Sequence, residues 1–176
     1  MKVVVLSDLH IDDNSDWIGN LNEALKRIKN ITMKNEKIIF ILLGDIVNGF
    51  LKRTTDDIKR FYKKADTFIH NINDGLVENQ VEFYFIPGNH DLDGDSLGAF
   101  NEFIERHSRI NESKYEFKSD ESIFTFDIEG FRFILVDSNL SRDYNASGKI
   151  DGELLKKKGA TDKQILLFMH RKDEIW

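Results

Sequence analysis

Four apolar runs in this chain stop abruptly, and each is followed at once by side chains able to hold a metal ion. Asp8 and His10 come after Val3–Leu6 (VVVL), and Asp45 comes after Ile38–Leu43 and Gly44. Asn89, His90 and Asp91 follow Phe83–Ile86 and the Pro87-Gly88 pair, and His170 follows Gln164–Met169. Pro87 is the only proline. It removes a backbone donor while Gly88 relaxes backbone sterics, so that run must end in a tight turn presenting an amide oxygen, an imidazole and a carboxylate together. Asp8 and His10 are two residues apart, which on an extended backbone points both to one side. Singly each signal is weak; four of them, each at a strand end, are hard to obtain by chance.

With no cysteine in the chain, thiolate metal sites and disulfides are excluded, leaving His, Asp, Asn and Glu as ligands. An oxygen- and imidazole-rich cluster suits Mn²⁺, Fe²⁺ or Zn²⁺. Two such ions, about 3.5–4 Å apart and sharing a carboxylate, would stabilise the anionic oxygens and the expelled alkoxide of a phosphoester and make hydroxide available near neutral pH. A nearby imidazole can then protonate the departing oxygen.

The elements that must position these groups are legible as periodicities. The β-branched and apolar runs at Val3–Leu6, Ile38–Leu43, Val81–Ile86 and Gln164–Met169 read as buried strands. Trp17–Ile31 carries apolar residues at helical spacing behind Asp16 as cap, and Thr55–Leu76 reads as a long helix with Ile58, Phe61, Tyr62, Ala65, Phe68, Ile69 and Ile72 on one side. Asp95–His107 reads as a third helix, begun by Asp95 or Ser96, and a short fourth lies around Gly152–Lys158 after a polar loop from Leu140 to Gly148. Ser122–Ile128 and Phe131–Val136 flank Glu129-Gly130, a hairpin signal. Strands alternating with helices predict an α/β layered domain with one antiparallel part. In open α/β sheets, ligands collect beyond the carboxyl ends of the strands, where Asp8, His10, Asp45, Asn89, His90 and His170 would converge.

At 176 residues the chain fits a single domain spanning 1–176. Its net charge of -6 argues against a protein that coats nucleic acid, although cations in a carboxylate-rich pocket would reverse the local field. No apolar run approaches the roughly 20 residues of a membrane helix, and Met1 opens directly on a strand. The expectation is a soluble, cytoplasmic protein without a membrane partner.

The motifs DLH (Asp8–His10), GDIVNG (Gly44–Gly49), PGNHD (Pro87–Asp91) and FMH (Phe168–His170) resemble the calcineurin-like metallophosphoesterases. Within them the chain is most similar to the bacterial cyclic-nucleotide phosphodiesterase-like branch, to which FRFILVDSN and ILLFMH also conform. The resemblance covers essentially the whole chain. It implies a sandwich of two mixed sheets flanked by helices, and hydrolysis, most simply of a phosphodiester, by a hydroxide bridging two divalent ions, Mn²⁺ or Fe²⁺ first and Zn²⁺ next. It implies that Asp8 and His10 bind one metal, that Asp45 bridges both, and that Asn89 and His170 bind the second. His90 would be the acid beside the leaving group rather than a ligand, with Asp91 orienting it. The substrate would be a phosphoester, with nucleotides or nucleic acids among the options.

The resemblance also implies a Gly-His-x-His motif after His170, which this chain lacks. Each ion would then keep three protein ligands, and a sheet edge would be uncovered. Three accounts are open: a domain cut just after His170, completion of the site by another chain such as a homo-oligomer partner, or a degenerate fold serving as a non-catalytic binding scaffold. His70 and His107 read as solvated helix surface or helix end. Asp12, Asp13 and Asp16 read as a solvated acidic loop, Asn48 as a support for Asp45 or a turn residue, Lys156–Lys158 as solvated helix, and Arg171 and Lys172 as a charged strand exit.

Overall fold

The computed structural model describes residues 1–14, 16–49, 53–91, 96–107, 123–137 and 152–170. Asp95, Ser122, the 138–148 stretch, Arg171 and Lys172, all read above from sequence, lie outside them.

In chain order the elements are β1 (Lys2–Leu6), α1 (Trp17–Ile31), β2 (Lys37–Leu43), α2 (Thr55–Gly75), β3 (Gln80–Ile86), α3 (Ser96–His107), β4 (Ile123–Ile128), β5 (Phe131–Val136), α4 (Gly152–Gly159) and β6 (Gln164–Met169). They form two three-stranded sheets, β1-β2-β3 and β4-β5-β6. The first is parallel throughout; the second is mixed, with β4 antiparallel and β6 parallel to β5.

The strand alternation explains the layers. In β2 and β3, Ile38, Phe40, Leu42, Val81, Phe83 and Phe85 pack against the apolar stripes of α1, α2 and α3. Their neighbours Ile39, Ile41, Tyr84 and Ile86 point the other way, onto Phe124, Phe133 and Leu135 of the second sheet. The far face of that sheet, Ile123, Ile134 and Val136, is covered by Leu154 and Leu155 of α4. The result is a helix–sheet–sheet–helix stack, and β2 reads as an unbroken apolar run because both its faces are buried. Parallel aromatic rings tie the sheets together: Tyr84 lies 3.8 Å from Phe126, which lies 4.8 Å from Phe133. Sandwich and flanking helices match the sequence expectation.

Local signals account for the boundaries. Asp16 caps α1 by accepting from the Gly19 amide, and Thr54 and Asp57 form a reciprocal capping box at α2. Glu129 and Gly130 both take positive φ, 47° and 83°, as the tight hairpin between β4 and β5 demands. On β6, Ile165, Leu167 and Met169 are exposed on the face turned from the sandwich. Among the described residues no helix is long and apolar enough to cross a membrane.

The candidate metal centre

Because β1, β2 and β3 run parallel and in register (Leu6 beside Leu42, Leu43 beside Ile86), their carboxyl ends lie along one edge. The loops beyond them are zipped together. Asp8 N–H donates to the Gly44 carbonyl, His10 N–H to that of Asp45, and Ile11 N–H to that of Ile46. This zipper is not extended chain. Asp8, His10 and Asp45 have φ of 54°, 44° and 50°, the left-handed region that non-glycine residues rarely occupy. The expected alternation of Asp8 and His10 is therefore corrected: two left-handed residues flank Leu9, which joins the core while its neighbours serve the site. Such backbone strain costs on the order of 1–3 kcal/mol per residue and is typical of functional sites.

Asp45 is the hub. It is 4% exposed, and its Oδ1 accepts the His90 backbone N–H at 3.0 Å. Around its Oδ2 stand three imidazole nitrogens: His170 Nε2 at 3.6 Å, His10 Nε2 at 3.8 Å and His90 Nε2 at 4.0 Å. All three separations exceed hydrogen-bond range, so the rings are held around the carboxylate rather than closed onto it. His170 is anchored by a 2.7 Å hydrogen bond between its Nδ1 and the Leu43 carbonyl. Since the carbonyl can only accept, Nδ1 carries a proton, and the nitrogen that faces Asp45 is Nε2, the one a neutral ring so held would offer to a metal.

Two groups of donors that could each hold a cation share Asp45: Asp8, Asp45 and His170, and His10, Asp45 and His90. This partition differs from the one implied by resemblance, which pairs Asp8 with His10 and makes His90 a non-ligand. In the structure the His10 and His90 rings meet edge to face with centroids 4.7 Å apart. Asn89 is buried in the same turn. The donor chemistry, the fixed His170 tautomer and the spacing all fit divalent cations.

Asp91 does not orient His90. Its carboxylate, fully buried, accepts from Ile46 N–H at 3.1 Å, Gly88 N–H at 2.9 Å and the Tyr62 hydroxyl at 2.9 Å. It points inward from the turn and ties the Asp45 loop to the Pro87–Asp91 turn, so it acts on backbone rather than on the imidazole. Burial and the charge of Asp45 push it up to about 6, against the opposing pull of these donors. Tyr62 is the residue that sequence reasoning left in the apolar stripe of α2; nothing in helical spacing marks its hydroxyl as a partner. Gly88 and Gly49 allow the close approach of the loops. A Cβ on Gly88 would overlap Asp45 Oδ1, and one on Gly49 would overlap the His90 carbonyl.

Other sequence readings shift. Asp12 is buried and accepts from the Asn48 amide at 3.0 Å, so Asn48 supports Asp12 rather than Asp45. Asp13 is taken up by Arg60 and Lys64, and Asp16 caps α1. His107, at the end of α3 as one of its two readings had it, is half-buried with its ring 2.6 Å from Asp66, and His70 is exposed.

No curated protein matches the chain at a significant level. The family model of the calcineurin-like phosphoesterases matches residues 1–174, nearly the whole chain, and with two Asp45-centred donor groups at its strand ends the protein belongs to that family of metal-dependent phosphoesterases.

Proposed function

We propose that the chain hydrolyses a phosphodiester with two divalent ions, Mn²⁺ or Fe²⁺ in first place and Zn²⁺ next, held on either side of Asp45. The observation that carries this is the convergence of His170, His10 and His90 Nε2 on one oxygen of Asp45 at 3.6 to 4.0 Å. Asp8 and His170 would hold one ion, His10 the other with Asn89 beside it, and Asp45 both. Such ions, when bound, supply Lewis acidity toward phosphoryl oxygens and lower the pKa of water.

The protein's own part is positioning. Leu43 fixes the His170 ring, Asp91 fixes the Ile46 and Gly88 backbones, and the Asp45 Oδ1 bond to His90 N–H fixes the turn that carries His90. His90, its side chain 12% exposed, is placed to hand a proton to the leaving oxygen. The test is His90→Gln, with Mn²⁺ uptake by calorimetry and turnover of bis-p-nitrophenyl phosphate measured side by side. Unchanged uptake of two ions with turnover reduced by roughly 10²–10⁴ supports the acid role. Loss of one ion makes His90 a ligand beside His10 instead. Uptake of no ion by the unsubstituted chain overturns the reading.

A further inference from the structure

Asp8 borders two places at once. On one side it stands in the group with Asp45 and His170; on the other it is part of the wall of a cavity of about 270 Å³ beneath α1. The rest of that wall is almost wholly apolar, with Leu9, Trp17, Leu21, Phe40 and Phe68 prominent, and Asn20 contributes its one amide side chain among the described residues. The same backbone strain that aims Asp8 at the metal centre builds the cavity, because Leu9 turns into it between two left-handed residues. Trp17, the first residue of α1, lies edge-on to Phe68 with ring centroids 6.0 Å apart.

A phosphate cannot leave water for such a wall, since no cation lines it among the described residues and burying an unpaired charge is prohibitive. An apolar group attached to a phosphate can. We infer that the cavity is the subsite for a compact apolar ester substituent, aryl or branched alkyl, while the phosphoryl group stays on the metal side of Asp8. This rests on the phosphoester reading above and adds the substrate class to it. The volume sets the size: an apolar void of about 150 Å³ accepts benzene, so 270 Å³ has room for a phenyl to naphthyl group and too little for a diacyl lipid.

The test uses the full chain loaded with Mn²⁺ and titrated calorimetrically with methylphosphonate, phenylphosphonate and 1-naphthylphosphonate. Phenylphosphonate should bind at least ~10-fold more tightly than methylphosphonate, the discrimination an apolar pocket gives for even small size differences. Ala24 lines the cavity. Ala24→Phe, and the milder Ala24→Leu should the first perturb the circular dichroism spectrum, should erase that advantage while leaving Mn²⁺ and methylphosphonate affinity unchanged. Trp17 reports location: in a Trp176→Phe background it is the sole tryptophan, and its emission should shift with phenylphosphonate but not with methylphosphonate. Equal affinities for the two phosphonates, or an advantage that survives both Ala24 variants, overturn the subsite alone. Failure of the chain to take up Mn²⁺ overturns the phosphoester reading, and the subsite with it.

Discussion

The Tyr62 hydroxyl, in the middle of α2, donates to Asp91 Oδ1 across 2.9 Å of fully buried interior. Burial and the neighbouring carboxylates hold the phenol well above its usual pKa, so it stays a donor at any relevant pH. Through Asp91 the helix layer is connected to the backbone of both loops that carry the metal-binding groups. Tyr62→Phe keeps the ring and its contacts with Phe103 but removes a hydrogen bond to a buried carboxylate. Unfolding by urea should show a loss of about 1.5–3 kcal/mol. Calorimetric Mn²⁺ affinity should also fall, because Ile46 and Gly88 would be less firmly held. Lost stability with unchanged metal affinity would confine Tyr62 to the core.

Asp91 itself predicts a pH signature in the chelated, metal-free chain. Its folded pKa is raised from an ordinary 3.8 to about 6, chiefly by burial and next by the charge of Asp45. The folded state thus binds its proton more tightly than the unfolded state does. The stability this contributes is fully present below pH 3.8 and is lost as pH rises through about 6, to the extent of about 3 kcal/mol. His107 acts in the opposite sense: burial lowers its pKa below 6.5, so its contribution is present above that value and lost as pH falls. Comparing the protein with Asp91→Asn removes the His107 part from the difference. Urea unfolding from pH 4 to 7 should show stability falling with pH relative to the variant; parallel curves would contradict the raised pKa.

The two donor groups predict separable losses of metal. Asp45→Asn should abolish uptake of both ions, since each group contains that carboxylate. His170→Gln and His10→Gln should each leave one ion per chain, counted by calorimetry, because the two rings belong to different donor groups. A single ion lost from Asp45→Asn, with the other undisturbed, would mean the carboxylate is not shared.

Most of the fold was legible because its signals are local. Runs buried on both faces made β2 and β3 unmistakable, and Glu129-Gly130 announced its turn through residues that tolerate positive φ. The side chains that cluster around Asp45 were legible as candidates because each follows a strand. How they group in space is not written in the chain, since it depends on how the His10 and His90 rings meet, 80 residues apart in number. Asp91 misled for a similar reason. A carboxylate next to a histidine suggests an orienting pair, but the turn directs it inward, where its hydrogen bonds go to backbone amides and to a tyrosine 29 residues away in number. Likewise Asn48 looked like a neighbour of Asp45, yet its amide reaches Asp12.

Two glycines separate the demands of the site from those of a helix. A methyl group on Gly88 would run into both the amide nitrogen and Oδ1 of Asp45, a residue whose carbonyl is held by His10 N–H and whose Oδ1 is held by His90 N–H. The nitrogen is backbone and cannot swing aside, so Gly88→Ala must push the Asp45 loop off the Pro87–Asp91 turn. Overpacking of this kind costs about 1–3 kcal/mol, and Asp45 would lose its place relative to His10 and His170. Gly98, in α3, meets nothing within 4 Å and is exposed. Gly98→Ala should gain up to about 1 kcal/mol from helix propensity and leave metal uptake alone. Thermal unfolding with Mn²⁺ calorimetry on both variants checks the contrast; a Gly88→Ala protein that still binds two ions at full affinity would show that the loops are not packed as tightly as the distances state.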